Sequence, residues 1–182
     1  NEGFGYYTAA VSPNRTLVYA GRGPLPVVNN HFTMFDRAGG VLPFLEAGGA
    51  YGPFSISRDR KRVAVQLYAA NDDIWIYDVE RQLPSRFTFA GGNNWYPLWT
   101  PDARNIILSC ERDGSANLFI KSADGSGTEK RLASSPYRQW ARSFSPDGNT
   151  LLYEQQNQDG NTDLWVLSLD DSIPPRSILD SR

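Results

Sequence analysis

One turn recurs along this chain at a nearly fixed interval, and that interval constrains the fold more than any other feature. Ser145-Pro146-Asp147-Gly148 has a close relative in Thr100-Pro101-Asp102-Ala103. Weaker copies are Ser57-Arg58-Asp59-Arg60 and Ser12-Pro13-Asn14-Arg15. A period of roughly 40–45 residues belongs to arrays in which each unit buries its apolar surface against the next. Four copies fill the 182 residues and leave no room for a second domain. The expected units are 4–47, 48–91, 92–135 and 136–182, together one segment.

The remainder of each unit stays in register with its turn. An apolar stretch follows: Thr16 to Ala20, Arg62 to Val65, Asn105 to Leu108 and Thr150 to Tyr153. After a polar loop come Asp73 to Tyr77, Asn117 to Ile120 and Asp163 to Leu167, with a poorer first copy at Asn30 to Met34. A short outer strand is expected at Leu42 to Leu45, Arg86 to Phe89, Lys130 to Ala133 and Arg176 to Leu179. The segment entering each turn supplies the innermost strand: Tyr51 to Ser57, Trp95 to Thr100 and Trp140 to Ser145. Proline presets φ for the turn, aspartate bonds the local backbone, and glycine accepts positive φ. Each unit therefore reads as four antiparallel strands, the pattern of β-propeller blades. Blades are covered on both faces, which explains apolar runs such as Ile74-Trp75-Ile76-Tyr77 where alternation would otherwise be expected. The fold class is all-β.

The Ser-Pro-Asp-Gly turn with its apolar strand, followed by Asp163-Leu164-Trp165-Val166 and a late Asp-Gly (Asp124-Gly125), resembles the WD40-like PD40 repeat of TolB-type propellers. The resemblance covers the whole chain; the second copy lacks the proline and the first lacks the glycine. It implies a protein- or peptide-binding scaffold of the bacterial periplasm or cell envelope. Similar repeats also occur in propellers of bacterial Ser/Thr kinases, winged-helix regulators and prolyl-oligopeptidase-like peptidases, so the motif specifies a fold more than a function. The family usually closes with six or more blades. Four blades imply part of a longer propeller, half of a dimeric ring of eight, or a self-closed ring of four. Asp180-Ser181-Arg182 stands where a next blade would begin.

In a propeller the innermost strands line the channel, and their starts sit on one rim. Five or six residues before each turn stand Tyr6 and Tyr7, Tyr51, Trp95 and Trp140, accompanied by Asn93, Asn94, Arg138 and Arg142. Aromatic side chains among arginine and asparagine suit a peptide or a sugar, because they offer large contact area at small entropic cost. The competing reading is that they plug the channel or pack between blades. Trp75, Phe119 and Trp165, at the centres of their strands, read as core between blades, and so do Trp99 and Phe144.

Other chemistry finds little support. A net charge of −2 argues against nucleic acid. No apolar stretch reaches the length of a membrane span. One cysteine, Cys110, forbids an internal disulfide, and its lone presence permits either periplasm or cytoplasm. The only histidine, His31, has no nucleophile elbow to serve, since Gly125-Ser126-Gly127 belongs to a hairpin tip. Asp159-Gly160-Asn161-Thr162-Asp163 opens with the rhythm of a calcium loop, but Leu164 replaces the required glycine, so turn chemistry is the better account. Arg58, Arg60, Lys61 and Arg62 form a basic corner of ordinary solvated type. No catalytic group, metal or cofactor is expected. The leading expectation is a non-catalytic scaffold. Its alternatives are the sensor or gating propeller of a larger peptidase or kinase, whose catalytic residues would lie in another domain, and a channel-site metal-dependent lyase or lactonase.

Overall fold

The computed structural model describes residues 9–11, 17–20, 32–36, 38–42, 49–89, 91–112 and 114–181. Four sheets follow one another along the chain, each with four antiparallel strands in sequence order. Sheet 1 holds β1 (Ala9–Val11), β2 (Leu17–Ala20), β3 (Phe32–Phe35) and β4 (Val41–Leu42). Sheet 2 holds β5 (Tyr51–Ile56), β6 (Arg62–Leu67), β7 (Asp73–Asp78) and β8 (Leu83–Arg86). Sheet 3 holds β9 (Asn94–Trp99), β10 (Asn105–Arg112), β11 (Ser115–Ser122) and β12 (Lys130–Arg131). Sheet 4 holds β13 (Gln139–Phe144), β14 (Thr150–Gln156), β15 (Thr162–Ser168) and β16 (Arg176–Leu179). The described residues contain no helix. The innermost strands β5, β9 and β13 touch in succession, so the sheets radiate from one side.

The recurring turn is built identically in sheets 2, 3 and 4. The hydroxyls of Ser57, Thr100 and Ser145 donate to Asp59, Asp102 and Asp147 at 2.5, 2.6 and 2.5 Å. Each aspartate then accepts from a backbone N–H two residues on, at Lys61, Arg104 and Asn149. The fourth turn residue is left-handed in all three: Arg60 (φ 61°), Ala103 (φ 56°) and Gly148 (φ 79°). Only the last is free of the Cβ clash that this conformation imposes. The hydrogen-bonded carboxylate holds the turn even where the glycine has been lost.

Packing explains the unbroken apolar strands. On β10, Ile106, Leu108 and Cys110 enter one cluster with Ala64, Ile74 and Ile76 of sheet 2. The intervening Ile107 joins Leu118, Leu151, Tyr153 and Leu167 in the seam with sheet 4. Ile106, Ile107 and Leu108 are all fully buried. Burying each such side chain contributes about 1.5–3 kcal/mol, so both faces of sheet 3 stabilise the stack. The seam between sheets 1 and 2 gathers Phe32, Tyr51, Phe54 and Tyr77, with Phe32 ring centroids 4.8 Å from Tyr51 and 5.0 Å from Phe54. Trp75 and Trp165 pack against these seams, Phe119 and Trp99 lie within them, and Phe144 borders the last. Polar clamps cross between sheets 2 and 3. The Arg62 guanidinium lies 4.5 Å above the Trp99 ring and donates to the Ala103 carbonyl. Arg62 is thus half-buried against sheet 3 and is not part of a solvated basic corner.

The outer strands differ from the sequence expectation. In sheet 2 the strand is Leu83–Arg86, and Phe87 and Thr88 leave it. Both of their N–H groups donate to the Ile74 carbonyl, and Phe87 turns inward to 3% exposure. Phe87 gains a core position that a fully exposed outer strand could not offer it. Sheet 3 keeps only Lys130–Arg131 as strand, and sheet 1 pairs Val41–Leu42, the expected residues 43–45 lying outside the described ones. The first turn, Ser12 to Arg15, and His31 also lie outside the described residues, as do Tyr6 and Tyr7.

Candidate functional rim

The starts of the innermost strands separate two positions that the sequence reading merged. Six residues before the turn stand Tyr51, Asn94 and Gln139, at 5%, 0% and 1% exposure. Five residues before it stand Gly52, Trp95 and Trp140, and these two tryptophans are only half-buried. Tyr51 is therefore a core residue. It is enclosed by Phe32, Phe54 and Tyr77, and its hydroxyl is 3.4 Å from that of Tyr77. Burial, with Tyr51 beside it, pushes the Tyr77 hydroxyl far above its ordinary range. Asn94 is likewise spent internally: its Nδ2 donates to the carbonyls of Gly92 and Asp72, and its Oδ1 is buried without a partner. Neither residue offers an open side chain to a ligand. Tyr7 lies outside the described residues.

Sheet 2 replaces its missing rim aromatic from the loop that follows β6. A Cβ on Gly52 would lie 2.8 Å from the Tyr68 ring, so glycine is what lets Tyr68 cover that position. Tyr68 is 46% exposed. It follows β6, and its rim location was not legible from the spacing of the innermost strands.

Trp95 and Trp140 are held in different ways. The Trp95 indole N–H donates to Asp72 Oδ2 at 2.7 Å. Asp72 also accepts from Gln66 Nε2 and the Ala69 N–H, which fixes its carboxylate on the loop before β7. Asn93 ties that loop to sheet 3, accepting from the Asp72 N–H at 3.1 Å and donating to Glu111 Oε2 at 3.0 Å. Trp140 meets the ring of Tyr96 edge to face, with centroids 6.4 Å apart at 70°. The Arg142 guanidinium lies 4.9 Å from the Tyr96 centroid and pairs with Glu154 at 2.5 Å. Arg138 is exposed at the entrance to β13.

Tyr96 was missed by sequence reading, and the cause is a register shift. Each of β5, β9 and β13 carries one extra residue relative to its partner strand, between Tyr51 and Phe54, Trp95 and Leu98, and Ala141 and Ser143. Such bulges twist a strand and re-aim its side chains. In β9 the bulged residue is Tyr96, left-handed at φ 52°. A bulky residue held there is strained by roughly 1–2 kcal/mol. In β13 the bulge falls at Arg142, so the two re-aimed side chains are those that stack on each other. The signal available in the sequence was Pro97, which disrupts regular pairing immediately after Tyr96.

Elsewhere the structure assigns turns. Asn157 Oδ1 accepts from the N–H groups of Asp159 and Asn161, and Asp163 is engaged by the Ser181 hydroxyl and N–H. Those contacts hold the Asp163 carboxyl below its usual range. The loop that resembled a calcium site is thus occupied by its own hydrogen bonds. At the opposite end, the turns of sheets 2 to 4 line a groove of about 340 Å³ that includes Arg58, Pro101, Asp102, Asp147 and Asn149.

Known structures share this arrangement. The chain superposes on TolB from Acinetobacter baumannii with a TM-score of 0.80 at 18% identity, over 96% of this chain and 43% of that one. A puromycin-hydrolyzing peptidase of Mycobacterium tuberculosis matches with a TM-score of 0.69 at 12% identity, over 94% of this chain and 31% of that one. The fold is that of a β-propeller. In sequence, the chain is 33% identical over 86 residues to the uncharacterized peptidase YuxL of Bacillus subtilis, covering 47% of this chain and 13% of YuxL. It is 30% identical over 87 residues to the uncharacterized protein Atu1656 of Agrobacterium fabrum, covering 48% of this chain and 29% of that protein. The chain therefore spans less than a third of either relative. No family model matches it.

Proposed function

We propose that these PD40-type blades form a non-catalytic scaffold whose rim, built on Trp95, Tyr96, Trp140 and Arg142, binds a protein or peptide. The observation that carries the reading is the concentration of half-buried aromatics at one end of adjoining innermost strands, Trp95 hydrogen-bonded to Asp72 and Trp140 and Tyr96 in mutual ring contact beside Arg142. Rigid aromatic and arginine side chains lose little entropy on binding and dominate interface energetics. Likeness to TolB supports a setting in the bacterial cell envelope. The test is selection of a random peptide library on the chain. A consensus retained by the parent and lost by a folded Trp95→Ala, Trp140→Ala variant supports the rim; identical enrichment on both removes it.

A second reading rests on a different observation. Peptidases appear both among the sequence relatives and among the structural neighbours. The same blades would then gate or position peptides for a hydrolase carried elsewhere in a longer protein. A hydrolase domain in the parent reading frame favours this reading.

A further inference from the structure

The rim has an electrical polarity that narrows its ligand. On the sheet 2–sheet 3 side its acids face donors of the protein itself. Asp72 accepts from Trp95, Gln66 and Ala69, and Glu111 gives one oxygen to Asn93. On the sheet 4 side two exposed cations outnumber the one acid beside them, Glu154. Arg138 is exposed, and Arg142 uses a single nitrogen, Nη2, toward Glu154. A guanidinium carries five donors in a planar fork, so the bond to Glu154 leaves further donors on a side chain that is itself exposed. The fork also lies over the Tyr96 ring, itself held by the bulge and by Trp140.

We propose, on the basis of the rim reading above, that Tyr96, Trp140 and Arg142 form a subsite for a peptide carboxylate flanked by an aromatic or other flat apolar side chain. The carboxylate takes the remaining donors of Arg142, and the neighbouring side chain lies on the Trp140 and Tyr96 rings. Arg138 contributes long-range attraction from the start of the same strand. The strain at Tyr96 has a use here: it brings a ring from β9 beneath the guanidinium of β13, so the subsite spans two blades and is pre-formed. A charge-assisted bond to a rigid guanidinium is among the stronger single contacts available in a wet interface. Stacked arginine and aromatic rings also suit single-stranded nucleic acid, but the net charge of −2 opposes a polyanion.

The carboxylate has two sources, an acidic side chain or a free C-terminus, and the experiment separates them. Fluorescein-labelled peptides with a central Phe-Glu, Phe-Gln or Phe-Lys and an amidated end are titrated by anisotropy against the full chain. A fourth peptide ends in Phe with a free carboxylate, and a ten-residue oligothymidylate is the fifth probe. The expected result is that a carboxylate peptide, internal or terminal, binds about tenfold or more tightly than the Gln and Lys peptides. Arg142→Gln erases that preference, Arg142→Lys retains part of it, and Arg138→Gln lowers all acidic affinities alike and reduces their salt dependence. Circular dichroism and the thermal midpoint check that each variant folds. Equal binding of Glu, Gln and Lys peptides, or tighter binding of the oligonucleotide, overturns the inference. Peptides that lose affinity in the Trp95→Ala, Trp140→Ala variant yet ignore charge overturn it while leaving the rim reading intact.

Discussion

The stacking of sheet on sheet can be tested by removing the same number of carbons from two equivalent positions. Ile107 and Leu152 stand seven residues after the start of their turns, on β10 and β14. Ile107 is fully buried in the seam with Leu118, Leu151 and Tyr153, whereas Leu152 is half-buried. Ile107→Ala deletes three buried carbons, forfeiting about 2.4 kcal/mol at ~0.8 kcal/mol each. The residual cavity raises the expected cost to about 3–4 kcal/mol. Leu152→Ala deletes three carbons from a site already partly wet and leaves no closed cavity, so roughly 1 kcal/mol is expected. At roughly 2–4 °C per kcal/mol for a chain of this size, Ile107→Ala lowers the thermal midpoint by about 6–16 °C. The assay is urea denaturation followed in parallel by tryptophan fluorescence and circular dichroism. Coincident transitions are required before the free energies are compared. Equal penalties for the two variants, or an Ile107→Ala cost below about 1.5 kcal/mol, refute the claim that sheets 3 and 4 are joined by this seam.

Further expectations concern the turns and the rim. Gly148→Ala introduces a Cβ about 3 Å from Pro101 at φ 79°, whereas Gly160→Ala at φ 81° meets nothing within 4 Å. Both lose stability to the left-handed backbone, about 1 kcal/mol, and the Gly148 variant loses measurably more in denaturant titration. The carboxyls of Asp102 and Asp147 are held below their usual range, chiefly by the hydroxyls of Thr100 and Ser145. A depressed folded-state pKa stabilises above the unfolded value and is lost as pH falls through the folded one. The thermal midpoint gap between parent and a Thr100→Val, Ser145→Ala variant should therefore narrow as pH drops below about 4; a gap independent of pH counts against the turn account. Trp95→Phe removes the indole N–H that Asp72 accepts at 2.7 Å. It should cost about 1–2 kcal/mol and increase hydrogen exchange in the loop before β7; unchanged exchange there refutes the anchoring role.

Much of the architecture was legible because its cause is local and periodic. The turn chemistry at Ser57, Thr100 and Ser145 and the doubly apolar strands around Ile76, Ile107 and Leu118 each reflect a requirement that the next unit repeats. Outer strands were less legible. Phe87 reads as strand by composition, yet it leaves the sheet because a buried position lies within reach. The rim was read only in part. Trp95 and Trp140 stand there, but Tyr51, one residue earlier in its unit, is core, since a one-residue step reverses the direction of a strand side chain. Asn94 follows the same rule.

From sequence alone came the number of units, their strand order and the aromatic character near the strand starts, because turn propensity and apolar periodicity act over a few residues. Tertiary structure decided which aromatics reach the rim, through bulges at Gly52-Pro53, Tyr96-Pro97 and Arg142. It also decided that Tyr68 substitutes at Gly52 and that Arg142 stacks on Tyr96. Those outcomes depend on where neighbouring sheets come to rest, and a bulge that shifts register by one residue leaves little trace in the order of residues that form it.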